Sequence, residues 1–154
     1  MLSAEEITEI EHEVAAMPRK RSACIEALKA VQRHRGWVSD EAVRDVAGYL
    51  EMSPDEVDSV ATFYNLIFRH PVGRHVIFVC DSVSCWILGC DRVRQALEER
   101  LGVGFGGTSG DDRFTLLPIQ CLGTCDHAPA LMVDDDLHQD VEPERVGEIL
   151  ERYE

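Results

Sequence analysis

The run His75-Val76-Ile77-Phe78-Val79-Cys80 is where the chain changes character. It is short, apolar and rich in β-branched residues, which reads as a buried strand, and it ends on a cysteine. Upstream of it the apolar residues follow the period of a helix. Ser3 and Glu6 have capping-box spacing, Ile7, Ile10, Val14 and Met17 follow on one face, and Pro18 stops the pattern. A second helix is predicted from about Ser22, with Ile25, Leu28 and Val31 inward and Arg33 and Arg35 in the last turn before Gly36. Ser39 opens a third, carrying Val43, Val46, Ala47 and Leu50. Ser53-Pro54-Asp55-Glu56 opens a fourth with a cap, a proline at the first helical position and the box glutamate.

Downstream, a polar loop leads to one helix over about residues 85–100, and the Gly-rich stretch 102–110 reads as a flexible connection. Residues 114–119 read as a second strand interrupted at Pro118, which places its end at a sheet edge or already in the loop. Residues 130–133 and 137–141 flank Asp134-Asp135-Asp136 in the pattern of a hairpin, and Pro143 starts a last helix with Val146, Ile149 and Leu150 inward. The fold class is therefore α+β: an N-terminal four-helix segment, residues 1–68, followed by an α/β domain, residues 69–154, in which helices cover a small sheet.

The 154 residues hold 29 acids against 15 bases, a formal charge of −14, with 45% hydrophobic residues and six cysteines. A chain of this length buries ~68–70% of its unfolded surface, so a core forms without disulfide or metal staples. The acidic balance argues against nucleic acid as a partner, because that affinity comes from clustered Lys and Arg that release counterions. No apolar run approaches the ~18–20 residues of a membrane span, so no membrane insertion is expected, and the acidic N-terminus is unlike a basic signal peptide. A cytoplasmic location is expected. In that reducing compartment the cysteines call for a chemical role or one in packing.

Four of them fall in two pairs, Cys80-x4-Cys85 and Cys121-x3-Cys125, each beginning where a predicted strand ends. Loops at strand ends gather side chains from distant parts of the sequence onto a rigid support. Two thiolates from each loop match a [2Fe–2S] cluster, which takes four, two on each iron. Gly123 would let the backbone approach closely, and Ser82 and Ser84 would supply hydroxyl donors. Zinc on four cysteines stays open as a rival, although structural zinc usually uses tighter C-x2-C knuckles. The C-x-x-C of thioredoxin-type redox chemistry is absent, and Cys125-Asp126-His127 offers one histidine where a Rieske centre needs two. Cys24 and Cys90 are expected to be buried packing residues; Cys90, five positions along a helix from Cys85, would not share its face.

The stretches Ala61-Thr62-Phe63-Tyr64, Pro71-Val72-Gly73-Arg74-His75-Val76, Cys80-Asp81-Ser82-Val83-Ser84-Cys85, Arg113-Phe114-Thr115-Leu116-Leu117-Pro118 and Cys121-Leu122-Gly123-Thr124-Cys125 together resemble the family of E subunits of bacterial NADH:quinone oxidoreductase, respiratory complex I. The resemblance runs from about Arg21 to Tyr153. It implies four N-terminal helices and a thioredoxin-like domain holding one [2Fe–2S] cluster, with Cys80, Cys85, Cys121 and Cys125 as its ligands. It also implies docking on the subunit that binds FMN and NADH, in company with other peripheral-arm subunits, on the cytoplasmic side of the inner membrane. The chain would then exchange single electrons with the partner's flavin and carry no complete active site. Related subunits of NAD-linked hydrogenases and formate dehydrogenases, and a free-standing ferredoxin, are the alternatives. Trp86 and Cys90 depart from the pattern without touching a ligand. No phosphate-cradling glycine motif follows a strand, which agrees with nucleotide binding by the partner.

Two further expectations concern surroundings. Asp81 and Asp126 follow ligand cysteines directly and would disfavour a reduced, more negative centre. At ~8 Å and an effective dielectric of ~20 each is worth about 90 mV for one electron before screening. The N-terminal helices are expected to form docking surface, with Phe63, Tyr64 and Phe68 at that surface or at the hinge into the sheet domain.

Overall fold

The capping box at the N-terminus is formed in the computed structural model, which describes residues 1–153: Ser3 Oγ accepts the Glu6 N–H at 3.1 Å, and Glu6 Oε2 accepts the Ser3 N–H at 2.7 Å. It opens α1 (Ala4–Ala15), which is followed by α2 (Cys24–Arg35), α3 (Asp40–Leu50) and α4 (Pro54–Phe63). A 3-10 turn over Lys20–Ala23 leads into α2, which ends on Gly36 at φ 81°, a left-handed cap that suits a residue without Cβ. Ser39 caps α3, and Ser53 with Glu56 closes a second capping box behind Pro54. The inward faces meet in a core of Ile10, Leu28, Val31, Val46, Leu50 and Val57.

Glu6 is itself buried, and both its carboxylate oxygens take hydrogen bonds from Arg35, at 2.6 and 2.8 Å. A carboxylate removed from water needs such a partner, and the fork of an arginine supplies two donors at once. The guanidinium holds the Glu6 carboxyl below its ordinary value. Beyond α4 the chain folds back on the helices. Gln32 accepts the Phe68 N–H at 2.6 Å and donates to Leu66 O at 2.8 Å, while Arg69 reaches Asp40 at 2.7 Å and Asp58 at 2.9 Å. These ties carry the first compact unit to Pro71.

The second unit begins at Val72. Its strands are β1 (His75–Cys80), β2 (Phe114–Ile119), β3 (Leu131–Val133) and β4 (Asp136–His138), in the order β2-β1-β3-β4. β1 runs parallel to β2, with Cys80 level with Ile119, and antiparallel to β3, which pairs antiparallel with β4. A parallel pair needs a crossover, and α5 (Val83–Ile87) and α6 (Cys90–Leu101) provide it; α7 (Val146–Leu150) follows a 3-10 turn at Pro143–Arg145. One side of the sheet packs Ile77, Val79, Leu116 and Leu131 against Val93 and Leu97 of α6 and Val146 and Ile149 of α7. Each fully buried Leu or Ile contributes ~1.5–3 kcal/mol, so packing suffices without covalent staples. All six cysteines are free.

Four details differ from the sequence reading or refine it. Pro118 does not end its strand: β2 continues to Ile119, and it tolerates a residue without an N–H because it is the edge strand. The helix read over 85–100 is two helices, separated at Leu88 and at Gly89, whose φ is 99°. The hairpin's second strand is three residues long, and Asp134 takes a positive φ of 51° in its turn. Residues 102–110 are no loose connection. Gly106 donates to Leu116 O at 2.8 Å, Leu116 donates to Gly107 O at 3.0 Å and Ser109 donates to Phe114 O at 2.8 Å, so the stretch lies along β2. Glycine serves there partly because a Cβ on Gly107 would stand 2.8 Å from the Val103 side chain.

Candidate metal centre

The register of β1 and β2 decides where the cysteines go. Because Cys80 and Ile119 are level neighbours, the loops after the two strands leave the sheet at the same height. The first is pinned at its root, with the Cys80 N–H donating to Ala130 O at 3.2 Å and the Asp81 N–H to Ile119 O at 3.0 Å. Ser82 stands at the N-terminal cap of α5, which carries Ser84 and Cys85. Cys80, Cys85 and Ala130 share a small buried group together with Cys90, with Ile119, Leu122 and Ala128 packed against it. The Ala130 backbone N–H and the Cys80 thiol lie close enough to act on the Cys85 thiol in opposite senses, the first favouring its ionised form and the second opposing it. Burial first, and then the Cys80 thiol, push Cys85 up to about 11.

The second loop runs from Gln120 to a 3-10 turn at Cys125–His127. Cys121 and Cys125 are exposed, with their sulfurs 3.8 Å apart, and the proximity of Cys121 raises the Cys125 thiol. Gly123 sits at φ 79° with open space where a Cβ would be, so its conformation and not crowding calls for glycine. That conformation aims its N–H at Cys121 Sγ, 3.3 Å away. The two loops also approach one another: Cys80 Sγ lies 3.8 Å from Gln120 O, and the Ser84 side chain is near enough to Cys125 to favour its thiolate. Ser82, the other expected donor, makes no side-chain bond at its helix cap.

Elements that the sequence did not point to brace this loop. Gln139 hydrogen-bonds the buried Thr124 side chain, the Asp140 N–H donates to His127 O at 2.9 Å, and the Val141 N–H donates to Pro129 O at 2.9 Å. The Ala128–Pro129 peptide is cis. His127 Nδ1 lies 2.9 Å from Asp140 and its Nε2 3.7 Å from Asp126; Asp140 foremost raises the imidazole above its ordinary 6.5. Residues 139–141 carried only the pattern of a strand, so nothing in the sequence marked them as a brace. Around Cys85 the apolar side chains Val83, Trp86, Ile87 and Leu88 lie exposed. Phe63 and Tyr64, in the first unit, are exposed as well and stack edge to face at 5.3 Å.

The donor set fits an iron–sulfur centre. Two thiolates on one tetrahedral metal, each bonded at about 2.3 Å, stand ~3.8 Å apart, which matches the 3.8 Å between Cys121 and Cys125. Thiols crowded in pairs oppose one another's ionisation, and a cationic centre relieves that opposition. The thiols come two and two, the supply that a pair of irons takes.

The description "Thioredoxin-like [2Fe-2S] ferredoxin" belongs to a protein family whose model matches residues 10–154. The E subunit of NADH-quinone oxidoreductase from Pseudomonas aeruginosa is 52% identical over 153 residues, 99% of this chain and 92% of the relative. Its namesake from Escherichia coli K12 is 51% identical over 152 residues, again 99% and 92%, and that of Buchnera aphidicola from Acyrthosiphon pisum is 47% identical. Among solved structures, an NAD+-reducing [NiFe]-hydrogenase in the H2-reduced state superposes with a TM-score of 0.71 at 22% identity. It covers 84% of this chain, which spans 22% of the hydrogenase chain, and at that identity it speaks for the fold alone.

Proposed function

Because the chain belongs to the thioredoxin-like [2Fe–2S] ferredoxin family, and within it stands with the E subunits of NADH-quinone oxidoreductase, we propose that it is the electron-transfer subunit of such an oxidoreductase, with Cys80, Cys85, Cys121 and Cys125 holding one [2Fe–2S] cluster. When bound, the cluster takes up and gives out one electron at a time. The residues of this chain do the rest. β1 and β2 hold the two cysteine loops level, the Gly123 N–H and the Ser84 hydroxyl face sulfurs that carry negative charge, and the buried Cys80–Cys85 side keeps water from half the site.

The electron partner in this reading is FMN on the subunit that binds NADH, within a peripheral arm on the cytoplasmic side of the membrane. The exposed Cys121 and Cys125 support it, since electrons leave most readily where the ligand sulfurs meet the surface. No helix among the described residues is long and apolar enough to cross a membrane. The four N-terminal helices and the exposed Phe63 and Tyr64 form part of the docking surface for the flavin subunit. The observation that supports the proposal is that the two thiol pairs lie on loops leaving level, neighbouring strands, with Cys80 Sγ 3.8 Å from Gln120 O of the other loop.

Iron and acid-labile sulfide analysis of the full chain, with electron paramagnetic resonance after reduction, tests the cluster; about two irons and two sulfides are expected. One zinc and no sulfide would reject it. Retention of the flavin subunit on the tagged full chain tests the partner, and a chain lacking residues 1–60 that binds it undiminished would reject the docking role of the helices.

A further inference from the structure

The fifth cysteine of the second unit, Cys90, lies in the same buried group as Cys80 and Cys85, although its spacing on a continuous helix would exclude it. A continuous helix would turn Cys90 about 140° away from Cys85. The break at Leu88 and Gly89 removes that constraint: α5 ends at Ile87, Gly89 takes a left-handed φ of 99°, and α6 starts on Cys90 itself. Cys90 is 4% exposed and shares one buried group with Cys80, Cys85 and Ala130. It lies near enough to Cys80, Cys85 and Asp81 for each to feel the other's charge. Of its neighbours, Cys80 Sγ faces Gln120 O at 3.8 Å, and the Cys85 thiol feels the Ala130 N–H and Cys80. The Cys90 sulfur makes no hydrogen bond among the described residues, which leaves it buried in the same group as Cys80 and Cys85 without a hydrogen-bond partner.

We propose that Cys90 is a reserve ligand, able to take the place of Cys85 at the cluster. This rests on the assignment of the four thiols above. The exchange involves no change of oxidation state: the Cys90 thiol gives its proton to solvent, and its sulfur donates an electron pair to the iron position that Cys85 does not fill. Gly89 supplies the backbone freedom for the small adjustment of α6's first turn. Cys121 and Cys125 have no such neighbour, since every other cysteine near them is already one of the four.

The test uses the full chain, purified without oxygen, with iron and sulfide content and the resonance spectrum of the reduced sample as readouts. Cys85→Ala should keep at least about half of the wild-type cluster, and Cys85→Ala with Cys90→Ala less than about a tenth. Cys90→Ala alone should match wild type, and Cys121→Ala should lose its cluster. Equal loss in Cys85→Ala and the double variant, both folded by circular dichroism, overturns the proposal. So does cluster loss in Cys90→Ala alone, which would make Cys90 a standing ligand. Should Cys85→Ala not fold, Cys85→Ser replaces it: with Cys90 present its g-values should be those of four sulfur ligands, and with Cys90→Ala added they should shift to those of an oxygen ligand. Identical spectra for these two overturn it equally. A wild-type chain that takes up neither iron nor sulfide defeats the ligand assignment itself, and Cys90 with it.

Discussion

The Ser84 side chain, in the first turn of α5, lies near enough to Cys125 on the second cysteine loop to favour that thiol's ionised form. A donor aimed at a ligand sulfur stabilises the more negative, reduced state of an iron–sulfur centre and so raises its potential. Ser84→Ala is expected to lower the potential. If a Ser84–Cys125 interaction is ~1 kcal/mol stronger in the reduced state, the fall is on the order of 40 mV. A redox titration followed by the reduced-state resonance signal measures it, with iron content unchanged.

The two carboxylates beside the ligands act with the opposite sign. Asp81 and Asp126 are both exposed, so water screens them far more than a partly buried pair would be screened. At ~8 Å in a dielectric close to that of water each is worth on the order of 20 mV. Asp81→Asn should raise the potential by about that much, less as salt is added. Asp126→Asn should give the fuller shift above the raised pKa of His127 and a smaller one below it, where the imidazolium 3.7 Å away already offsets the charge.

Stability of the helical unit should fall in acid through Glu6. Its carboxyl is held below the ordinary 4.5 in the folded chain, by Arg35 first. A depressed folded pKa gives stability that is complete above the unfolded value and is lost as pH falls through the folded one. Thermal unfolding should therefore show a loss below about pH 4.5 that Glu6→Gln lacks. Arg35→Ala should cost about 3 kcal/mol at neutral pH, because it leaves the buried Glu6 charge with only the Ser3 N–H of the capping box to offset it.

Removal of the metal should expose an order of thiol reactivity. Cys121 and Cys125 are exposed and should be alkylated first by iodoacetamide, ahead of the buried Cys80, Cys85, Cys90 and Cys24. With Cys85 up near 11, only about one in ten thousand of its thiols is ionised at pH 7, and the thiolate is the nucleophile. Mass spectrometry of a timed alkylation of the apo chain reads the order. Rapid labelling of Cys85 would mean that its group opens when the metal leaves.

How far the sequence carried the reading depends on what kind of signal each feature leaves. Capping boxes at Ser3 and Ser53 are local, with partners three residues apart, and both were legible. The two cysteine loops were legible as strand ends, because a buried β-branched run shows itself by composition. Three features were not. The helix break at Gly89 hides inside an otherwise helical pattern, since one glycine there is tolerated as often as it bends the chain. The bracing of the second loop by Gln139 and Asp140 joins residues 13 or 15 apart through a turn that no periodicity marks. Glu6 and Arg35 meet across 29 residues, and an acid at a helix start gives no sign that it is buried.

The Gly-rich stretch along β2 also governs what the sheet can recruit. An open sheet edge is a template on which a second chain adds a strand, whether as a partner or in aggregation. Here one flank of the sheet is already occupied by the backbone of residues 106–109, and at the other β4 offers only Asp136–His138, with a charged residue at its start. Strand addition therefore has little to build on at either side. Whatever docks on this unit has to read side chains and loops, and the sheet itself is poorly placed to recruit a further strand.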